Sequence, residues 1–334
     1  MKTRQRISRK DKLRAGIVVV VSFAVISLGI LALQRWQEYQ QMQTTPADES
    51  NRKTVEYQGT TYVAREGIES YLFMGVDVEG PAKGSKSYIG GGQADVQLLL
   101  VVDRFNRTWQ VLQINRDSMV EVPVLGVNGK EVGTEYQQIA LAHSYGDGLE
   151  TSCENNVTAV SRMLQNQTIQ GYVALNMDAI SIINDQVGGV EVTVLDDFSQ
   201  LDPSLVEGQT VTLTGTQALT YIRGRQGVGD ETNLSRMARQ EQYLNALYSK
   251  LAGLSTDIAV KTFQAVDDYM VTDMNDQWLK LMDRLEEYEK LEPLAIDGES
   301  YLDEQGSAAY QLDEDSLKQV MIQLFYEPTS KVDE

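Results

Sequence analysis

The feature that most constrains this chain is an uncharged stretch of nineteen residues, Ala15 to Leu33. At about 1.5 Å per residue, a helix of this length spans the roughly 30 Å hydrocarbon core of a bilayer. Residues 1–14 contain seven Lys or Arg and one Asp, which the positive-inside rule keeps in the cytoplasm. No small-x-small cleavage pattern follows the apolar run, and Trp36 and Tyr39 suit the outer interface. The sequence therefore predicts an uncleaved, single-pass transmembrane helix in the cell membrane, with a cytoplasmic N-terminus and the remaining chain extracellular.

The net charge of −19 is distributed unevenly. Residues 1–14 carry +6, so everything after them carries −25. A domain this acidic does not bind nucleic acid or an anionic membrane surface through its net field, and an arginine cluster within it points to local chemistry. Cys153 is the single cysteine and His143 the single histidine, which excludes an intramolecular disulfide and a zinc site built from Cys and His.

Composition divides the chain into five parts. After the cytoplasmic tail 1–14 and the transmembrane helix 15–33, residues 34–52 are polar without apolar periodicity and are predicted to form an extracellular stalk. Residues 53–327 show a globular pattern without a second linker or an internal repeat, which favours one large domain, and 328–334 form a tail. Because predicted strands and helices interleave, the fold class is α/β with mixed α+β character: a central mixed β-sheet sandwiched by helices.

Three predicted strands carry carboxylates where strand meets loop. Asp77 follows the first, Asp95 precedes the second, and the pair Arg116-Asp117 follows the third. Loop residues held on a rigid sheet are common places for chemistry. Two carboxylates also suit Mg2+, which takes one or two of them together with phosphate oxygens and water. Two simpler alternatives stay open: Asp77 and Asp95 each cap a turn, and Asp117 forms a structural ion pair with Arg116.

Arginines cluster in the second half of the chain. Eleven arginines occur beyond residue 50, and four of them fall between Tyr221 and Gln240. If residues 222–226 are extended, side chains two apart point the same way, so Arg223 and Arg225 share one side.

A helix is predicted to follow, because Thr232 or Asn233 can cap it and apolar residues recur at helical spacing. On that helix Arg236, Arg239 and Gln240 lie at i, i+3 and i+4, hence on one face. A glycine-containing loop lets both arginine pairs converge on one site. Guanidinium forks match phosphate oxygens in pairs, so the cluster suits a phosphate or pyrophosphate, and with a metal held by carboxylates it suits phosphoryl transfer. The alternative is a set of solvated arginines that balance nearby acidic residues.

Several short motifs occur in a fixed order along the chain, after the basic tail and the membrane helix. Each alone is weak, but the ordered set is specific and covers residues 68–252 most strongly. The motifs are Phe73-Met-Gly-Val-Asp77, Ala94-Asp95, Ile114-Asn-Arg-Asp117, Gly188-Gly-Val-Glu-Val, Leu213-Thr-Gly-Thr-Gln-Ala-Leu-Thr-Tyr-Ile-Arg-Gly-Arg225 and Ser235-Arg-Met-Ala-Arg-Gln240. In this order they resemble the LytR-CpsA-Psr family.

The resemblance implies a phosphotransferase on the outer face of a Gram-positive membrane. Such enzymes move a glycopolymer from a polyprenyl-pyrophosphate carrier to a peptidoglycan hydroxyl, usually of muramic acid, through a phosphodiester bond. The resemblance also implies that Asp77 and Asp95 hold Mg2+, or Mn2+ in its place, and that Asp95 or Asp117 helps deprotonate the acceptor beside Arg116. The residues implied to hold the pyrophosphate are Arg116, Arg223, Arg225, Arg236, Arg239 and Gln240.

Three departures from the family pattern bear on activity. Val78-Glu79 stands where Ser-Arg is frequent, Asp95 lacks its usual flanking hydroxyl residues, and Asn115 replaces the usual Pro. Glu79 beside a pyrophosphate would be repulsive unless it points away or faces the metal. A second hypothesis is therefore a non-catalytic binder of polyprenyl phosphate that regulates or scaffolds envelope assembly. A third is a phosphatase or pyrophosphatase that uses water as the acceptor.

Overall fold

The computed structural model describes residues 52–85, 89–252, 256–274 and 277–329. The described residues from Val55 onwards belong to one compact unit. No helix in these ranges is long and apolar enough to cross a membrane. The predicted cytoplasmic tail, the predicted transmembrane helix and nearly all of the predicted stalk lie outside the described residues, and they stay predictions.

A central mixed sheet organises this unit. Its inner strands are rich in branched and aliphatic residues, as strands covered on both faces usually are. In the described residues, strands β1 to β16 are, in chain order, Thr54–Tyr57, Thr60–Ala64, Ile68–Val76, Ala94–Asp103, Thr108–Ile114, Met119–Leu125, Glu131–Gln138, Gly171–Asn176, Val190–Thr193, Thr210–Leu213, Met270–Thr272, Glu289–Lys290, Leu294–Ala295, Gly298–Leu302, Ala308–Leu312 and Tyr326–Pro328.

The strand order of the central sheet is β11-β8-β3-β4-β5-β12, and β13 also pairs with β5. Strand β3 runs antiparallel to β4 and parallel to β8. Strand β5 runs antiparallel to β4 and parallel to both β12 and β13. Parallel and antiparallel pairs therefore coexist, which confirms the predicted central mixed sheet.

Helices pack on both faces of this sheet. Alternate residues of β3 point to opposite faces, so neighbouring residues belong to different cores. Leu72 belongs to a core that includes Val160 and Met321 from two helices, whereas Tyr71 packs in a second core with Leu281 and Leu285. In the described residues, helices α1 to α7 are, in chain order, Glu150–Met163, Asp178–Gln186, Gly215–Arg223, Asn233–Ala252, Thr256–Val266, Gln277–Glu287 and Glu314–Phe325.

A smaller three-stranded sheet, in the order β1-β2-β16, joins the two ends of the described unit. Strands β1 and β2 meet in a tight turn in which Gln58 and Gly59 both have positive φ angles, of 48° and 76°. Strand β16 pairs antiparallel with β2, with Tyr326 opposite Ala64. The last strand of the domain is thus held by one of its first strands.

The first two residues of the segment 222–226 are helical and not extended, because α3 continues to Arg223. Thr214 caps this helix in a capping box with Gln217, and Ala218, Tyr221 and Ile222 keep their buried helical spacing to its last turn. The hypothesis that an extended segment begins at Ile222 is therefore wrong. Burial of apolar side chains spaced about one helical turn apart favours a helix over an extended conformation at the start of this segment.

Candidate active site

The register of the β3–β4 and β4–β5 pairs determines which residues lie opposite Asp77 and Asp95. In the β4–β5 hairpin Gln97 lies opposite Ile114, so two residues further along the register Asp95 faces Arg116. Between β3 and β4 the register shifts at Gly75/Val76, where Val76 lies opposite Ala94, so the next residue, Asp77, faces Gln93. The shift is a β-bulge, a device that re-aims side chains at sheet edges next to functional sites. Three strand ends therefore meet at one edge.

Arg116 joins both catalytic candidates. Its Nη1 is paired with Asp95 Oδ1, its Nη2 donates to Gln93 Oε1, and its Nε lies 3.2 Å from Asp117 Oδ1. The side chains of Arg116, Asp95 and Asp117 are only 14%, 9% and 5% exposed. The ion pair between Arg116 and Asp117, the simpler alternative for these two residues, is present. Arg116 nevertheless pairs with Asp95 as well, so it is the centre of the acidic site.

Arg236 is the second guanidinium on Asp95. Its Nη1 lies 3.5 Å from Asp95 Oδ2, and its Nη2 donates to Asn233 Oδ1 at 2.5 Å. The Arg236 side chain is 6% exposed, and burial lowers the pKa of its guanidinium. The helix α4 begins at Asn233, and Thr232 Oγ1 accepts from the Ser235 backbone N–H, which confirms Thr232 as the predicted helix cap. This start of α4 places Arg236 against the sheet edge.

The ionisation of Asp95 reflects opposing effects. Burial raises its pKa, Arg116 and Arg236 lower it, and Asp77 and Asp117 raise it again. Loss of solvation is the largest of these effects, so the pKa of Asp95 lies above its usual range. A carboxylate with a raised pKa is a better proton acceptor for a hydroxyl than an ordinary exposed aspartate.

Asp77 is hydrogen-bonded to the backbone of Gln93, at the far end of the loop between β3 and β4. Its Oδ1 accepts from the Gln93 backbone N–H at 2.5 Å, and its own N–H donates to Gln93 O at 3.0 Å. Among the described residues, no three His, Cys, Asp or Glu side chains gather where they could hold a metal ion. Asp77 still raises the pKa of Asp95, so the two carboxylates repel each other and a cation near them would relieve that repulsion. The pair suits an ion such as Mg2+ that takes few protein carboxylates and fills its shell with phosphate and water.

Arg223 and Arg225 lie at the solvent-exposed side of the stretch. Arg223 Nη1 is 4.0 Å from Glu79 Oε1, with side chains that are 44% and 81% exposed. Arg225 Nε donates to the backbone oxygen of Glu231 at 3.1 Å. Glu79, one of the residues that depart from the family pattern, thus faces one of the arginines implied to bind pyrophosphate.

Arg239 and Gln240 have different partners from Arg236. Arg239 is 1% exposed, is paired with Asp196, and donates to the backbone oxygens of Tyr221 and Gly224. Gln240 Nε2 donates to the backbone oxygen of Ile222 at 3.2 Å. These oxygens belong to the last turn of α3 and its cap, where helix carbonyls have no partner within the helix. The structure therefore engages both side chains in holding the end of α3.

Four residues of the site were missed among the sequence-predicted side chains. Gln93 links Asp77 to Arg116, and Gln138 Nε2 donates to Asp117 Oδ1 at 3.2 Å. Asn115 and Asn233 connect the Arg116-Asp117 loop to α4 through a hydrogen bond between their side-chain amides. Asn233 carried a sequence signal as a candidate helix cap and Asn115 as a departure from the family pattern, but neutral amides do not appear in the pattern of charges.

Several buried donors at this site have no hydrogen-bond partner within the described residues: Asn115 Nδ2, Arg116 Nε and Arg236 Nε. Arg116 Nε is close to Asp117, but its N–H is not directed at that carboxylate. Buried polar groups in folded proteins are nearly always paired. An anion with several oxygens, such as phosphate, would satisfy these donors.

His143 supports the loop that carries Gln93. Its Nδ1 lies 3.2 Å from Gly92 O, and its Nε2 lies 3.6 Å from Cys153 Sγ. Burial lowers the pKa of His143 and raises that of Cys153. The histidine is a buried structural residue, not a base that faces the acidic site.

Comparisons with known proteins show which family shares this sequence and fold. TagU of Enterococcus faecalis, a polyisoprenyl-teichoic acid–peptidoglycan teichoic acid transferase, is 26% identical over 318 residues, 92% of this chain and 94% of TagU. The crystal structure of Bacillus subtilis TagV superposes with a TM-score of 0.60 and 25% identity, covering 78% of this chain and 96% of that one. The structure of TagT bound to LI-WTA gives a TM-score of 0.59 at 21% identity, covering 84% and 93%, and shares the fold. The model of the LytR_cpsA_psr family matches residues 31–325. The chain belongs to the LytR-CpsA-Psr family, as its ordered motifs predicted.

Proposed function

We propose that this protein is a glycopolymer transferase of the bacterial cell wall. It would move a teichoic-acid-like polymer from a polyprenyl-pyrophosphate carrier to a peptidoglycan hydroxyl and join the two by a phosphodiester bond. The named activity of TagU supports the substrate class, since TagU matches nearly the whole chain. The observation that carries the proposal is Asp95 held between Arg116 and Arg236, beside buried donors that lack partners.

The chemistry assigns a distinct task to each side chain. Arg116 and Arg236 neutralise charge on the pyrophosphate, where guanidinium groups bind phosphoryl oxygens strongly. Asp95 takes the proton of the acceptor hydroxyl, whose oxygen forms the new bond to phosphorus. The bond from that phosphorus to the bridging oxygen breaks, and polyprenyl phosphate leaves with the electron pair. Asp117 orients Arg116 through their ion pair.

Mg2+, or Mn2+, would be held by Asp77 and Asp95 together with substrate phosphate oxygens. When bound, the ion supplies positive charge to the phosphoryl group during transfer. Arg223 and Arg225 would contact the outer part of the pyrophosphate, because both lie nearer to solvent than Arg236. We also propose that residues 15–33 anchor the protein in the membrane, with the domain outside the cell.

The experiment is turnover of a synthetic polyprenyl-pyrophosphate oligosaccharide by the full-length chain, with a peptidoglycan fragment as acceptor, in Mg2+ and in chelator. Wild-type protein should form a glycan-linked product, and Asp95→Asn should lose on the order of 10²-fold or more, the effect of a general base. Asn128→Asp, which adds one negative charge at an exposed turn, is the control and should leave turnover unchanged. Release of polyprenyl phosphate to the same extent without the acceptor would instead establish a pyrophosphatase.

The non-catalytic lipid-phosphate binder is the second candidate. Both oxygens of Asp95 are already engaged by guanidinium groups, which favours a rigid binding site over a free base. Tight binding without product, with an acceptor that a related transferase modifies, would support this candidate and refute the transferase.

A further inference from the structure

Two buried asparagines bridge the two halves of the site. Asn233 Nδ2 donates to Asn115 Oδ1 at 2.5 Å across 118 residues of sequence. Asn115 is 4% exposed and Asn233 is 7% exposed. One lies beside Arg116-Asp117 at the end of β5, and the other begins the helix that carries Arg236. The bridge therefore connects the two elements that hold Asp95 between guanidinium groups.

The side-chain orientations of Asn115 and Asn233 follow from two neighbouring groups that can donate a hydrogen bond but cannot accept one. The Asp117 backbone N–H donates to Asn115 Oδ1 at 3.0 Å, so that atom is the oxygen. Arg236 Nη2 donates to Asn233 Oδ1 at 2.5 Å, so that atom is also the oxygen. A guanidinium and a backbone N–H have no acceptor lone pair to offer here. Asn233 must then donate to Asn115, and the Nδ2 group of Asn115 is the one left over.

That Asn115 Nδ2 group is buried and has no hydrogen-bond partner within the described residues. The neighbouring Arg236 Nε and Arg116 Nε are in the same condition. A buried donor without an acceptor is unfavourable, and native proteins seldom keep one without a purpose. Three such donors on residues of one network mark the place where an anion binds.

The geometry points to Asn115 as a further substrate-binding residue, whose Nδ2 group donates to a phosphoryl oxygen of the pyrophosphate. Asn233 is a positioning residue: it fixes Arg236 relative to the Arg116-Asp117 loop through the amide bridge. This inference rests on the proposed function. A neutral amide differs from an arginine in how it contributes to pyrophosphate binding. Because the amide carries no charge, its contribution does not depend on salt concentration and it forms no ion pair with Asp95.

The test measures binding of inorganic pyrophosphate to the full-length chain by calorimetry at several salt concentrations. Asn115→Ala should weaken binding about tenfold, the factor expected for one lost hydrogen bond to a charged group. The dependence of affinity on salt should stay that of wild type, whereas Arg116→Ala should lower both affinity and salt dependence. Asn115→Asp keeps the accepting oxygen but replaces the donor, and it should weaken binding further. The control is Asn128→Asp, which adds the same charge away from the site.

The bridge is tested by a double-mutant cycle. If Asn233 acts through Arg236, then Asn233→Ala should weaken binding in wild type but add little in an Arg236→Ala background. Equal losses in both backgrounds would overturn the bridge. Affinities of Asn115→Ala and Asn115→Asp equal to that of the control, while Arg116→Ala loses binding, would overturn the role of Asn115 alone. Wild-type protein that binds no pyrophosphate would refute the proposed function itself.

Discussion

Arg239 and Arg223 fall in one sequence cluster, yet the structure predicts opposite consequences for their loss. Arg239 is 1% exposed, is paired with Asp196, stacks over Phe198 at 5.3 Å and donates to two backbone oxygens. Arg223 is 44% exposed, and its ion pair is a 4.0 Å contact to Glu79. Arg239→Ala should therefore destabilise the fold, whereas Arg223→Ala should weaken ligand binding.

The expected magnitudes follow from burial. Removal of one partner from a buried ion pair costs about 3–5 kcal/mol. Asp196 is 20% exposed, so water solvates part of the charge left behind, and a loss of about 3 kcal/mol of unfolding free energy is expected for Arg239→Ala. An exposed pair such as Arg223 with Glu79 contributes about 0–1 kcal/mol to stability. If Arg223 donates to pyrophosphate, its loss should cost about 1–3 kcal/mol of binding.

Urea unfolding of the full-length chain followed by tryptophan fluorescence measures the first effect, and calorimetry with pyrophosphate measures the second. Arg239→Lys is the matched variant, because it keeps the charge but loses the planar fork, so its stability should lie between wild type and Arg239→Ala. Arg239→Ala with an unchanged midpoint and abolished pyrophosphate binding would refute this assignment and return Arg239 to the ligand site.

Three further predictions concern single side chains. Glu79→Gln should tighten pyrophosphate binding several-fold in low salt, because it removes a negative charge that repels the anion beside Arg223. Affinity no higher than that of wild type would contradict this. Burial lowers the pKa of His143, so its contribution to stability is present above the unfolded pKa of about 6.5 and is lost as pH falls through the folded pKa. Urea unfolding at a series of pH values should show that the free energy of unfolding falls less with decreasing pH in His143→Asn than in wild type. The same dependence on pH in both proteins would count against a neutral buried histidine. Burial raises the pKa of the Cys153 thiol, so a thiol reagent should label it only after unfolding, and rapid labelling of native protein would be inconsistent with its position.

The carboxylate half of the site was predictable because a hairpin encodes it. The turn after Asp103 is marked by an Asp whose Oδ1 accepts from two backbone N–H groups, of Phe105 and Asn106. Once that turn fixes the register, Asp95 must face Arg116. Local turn chemistry and strand periodicity therefore determine this contact, and both can be recognised in the sequence.

The arginine half was predicted only in part. Helical spacing places Arg236 and Arg239 on one face, but their side chains are long and reach different partners. Arg239 and Gln240 satisfy carbonyls at the end of α3, and the position of that end depended on apolar packing around Tyr221. Because the sequence did not predict where α3 ends, it did not predict the carbonyl oxygens that accept hydrogen bonds from these two side chains. The positions of charged residues in a sequence do not distinguish an arginine that binds backbone carbonyls from one that binds a phosphate.

The pairing of β16 with β2 also has a consequence for how the protein is made. Strand β2 lies near the start of the domain, but its partner strand, which begins at Tyr326, is synthesised only after the central sheet and the helices on it. Contacts so distant in sequence form slowly, because a long loop must close before they contribute. The nascent domain therefore keeps one edge of β2 unpaired until β16 has been synthesised, and unpaired strand edges favour association with other chains. A chain that stops after α7 should retain most of the central sheet yet aggregate during expression.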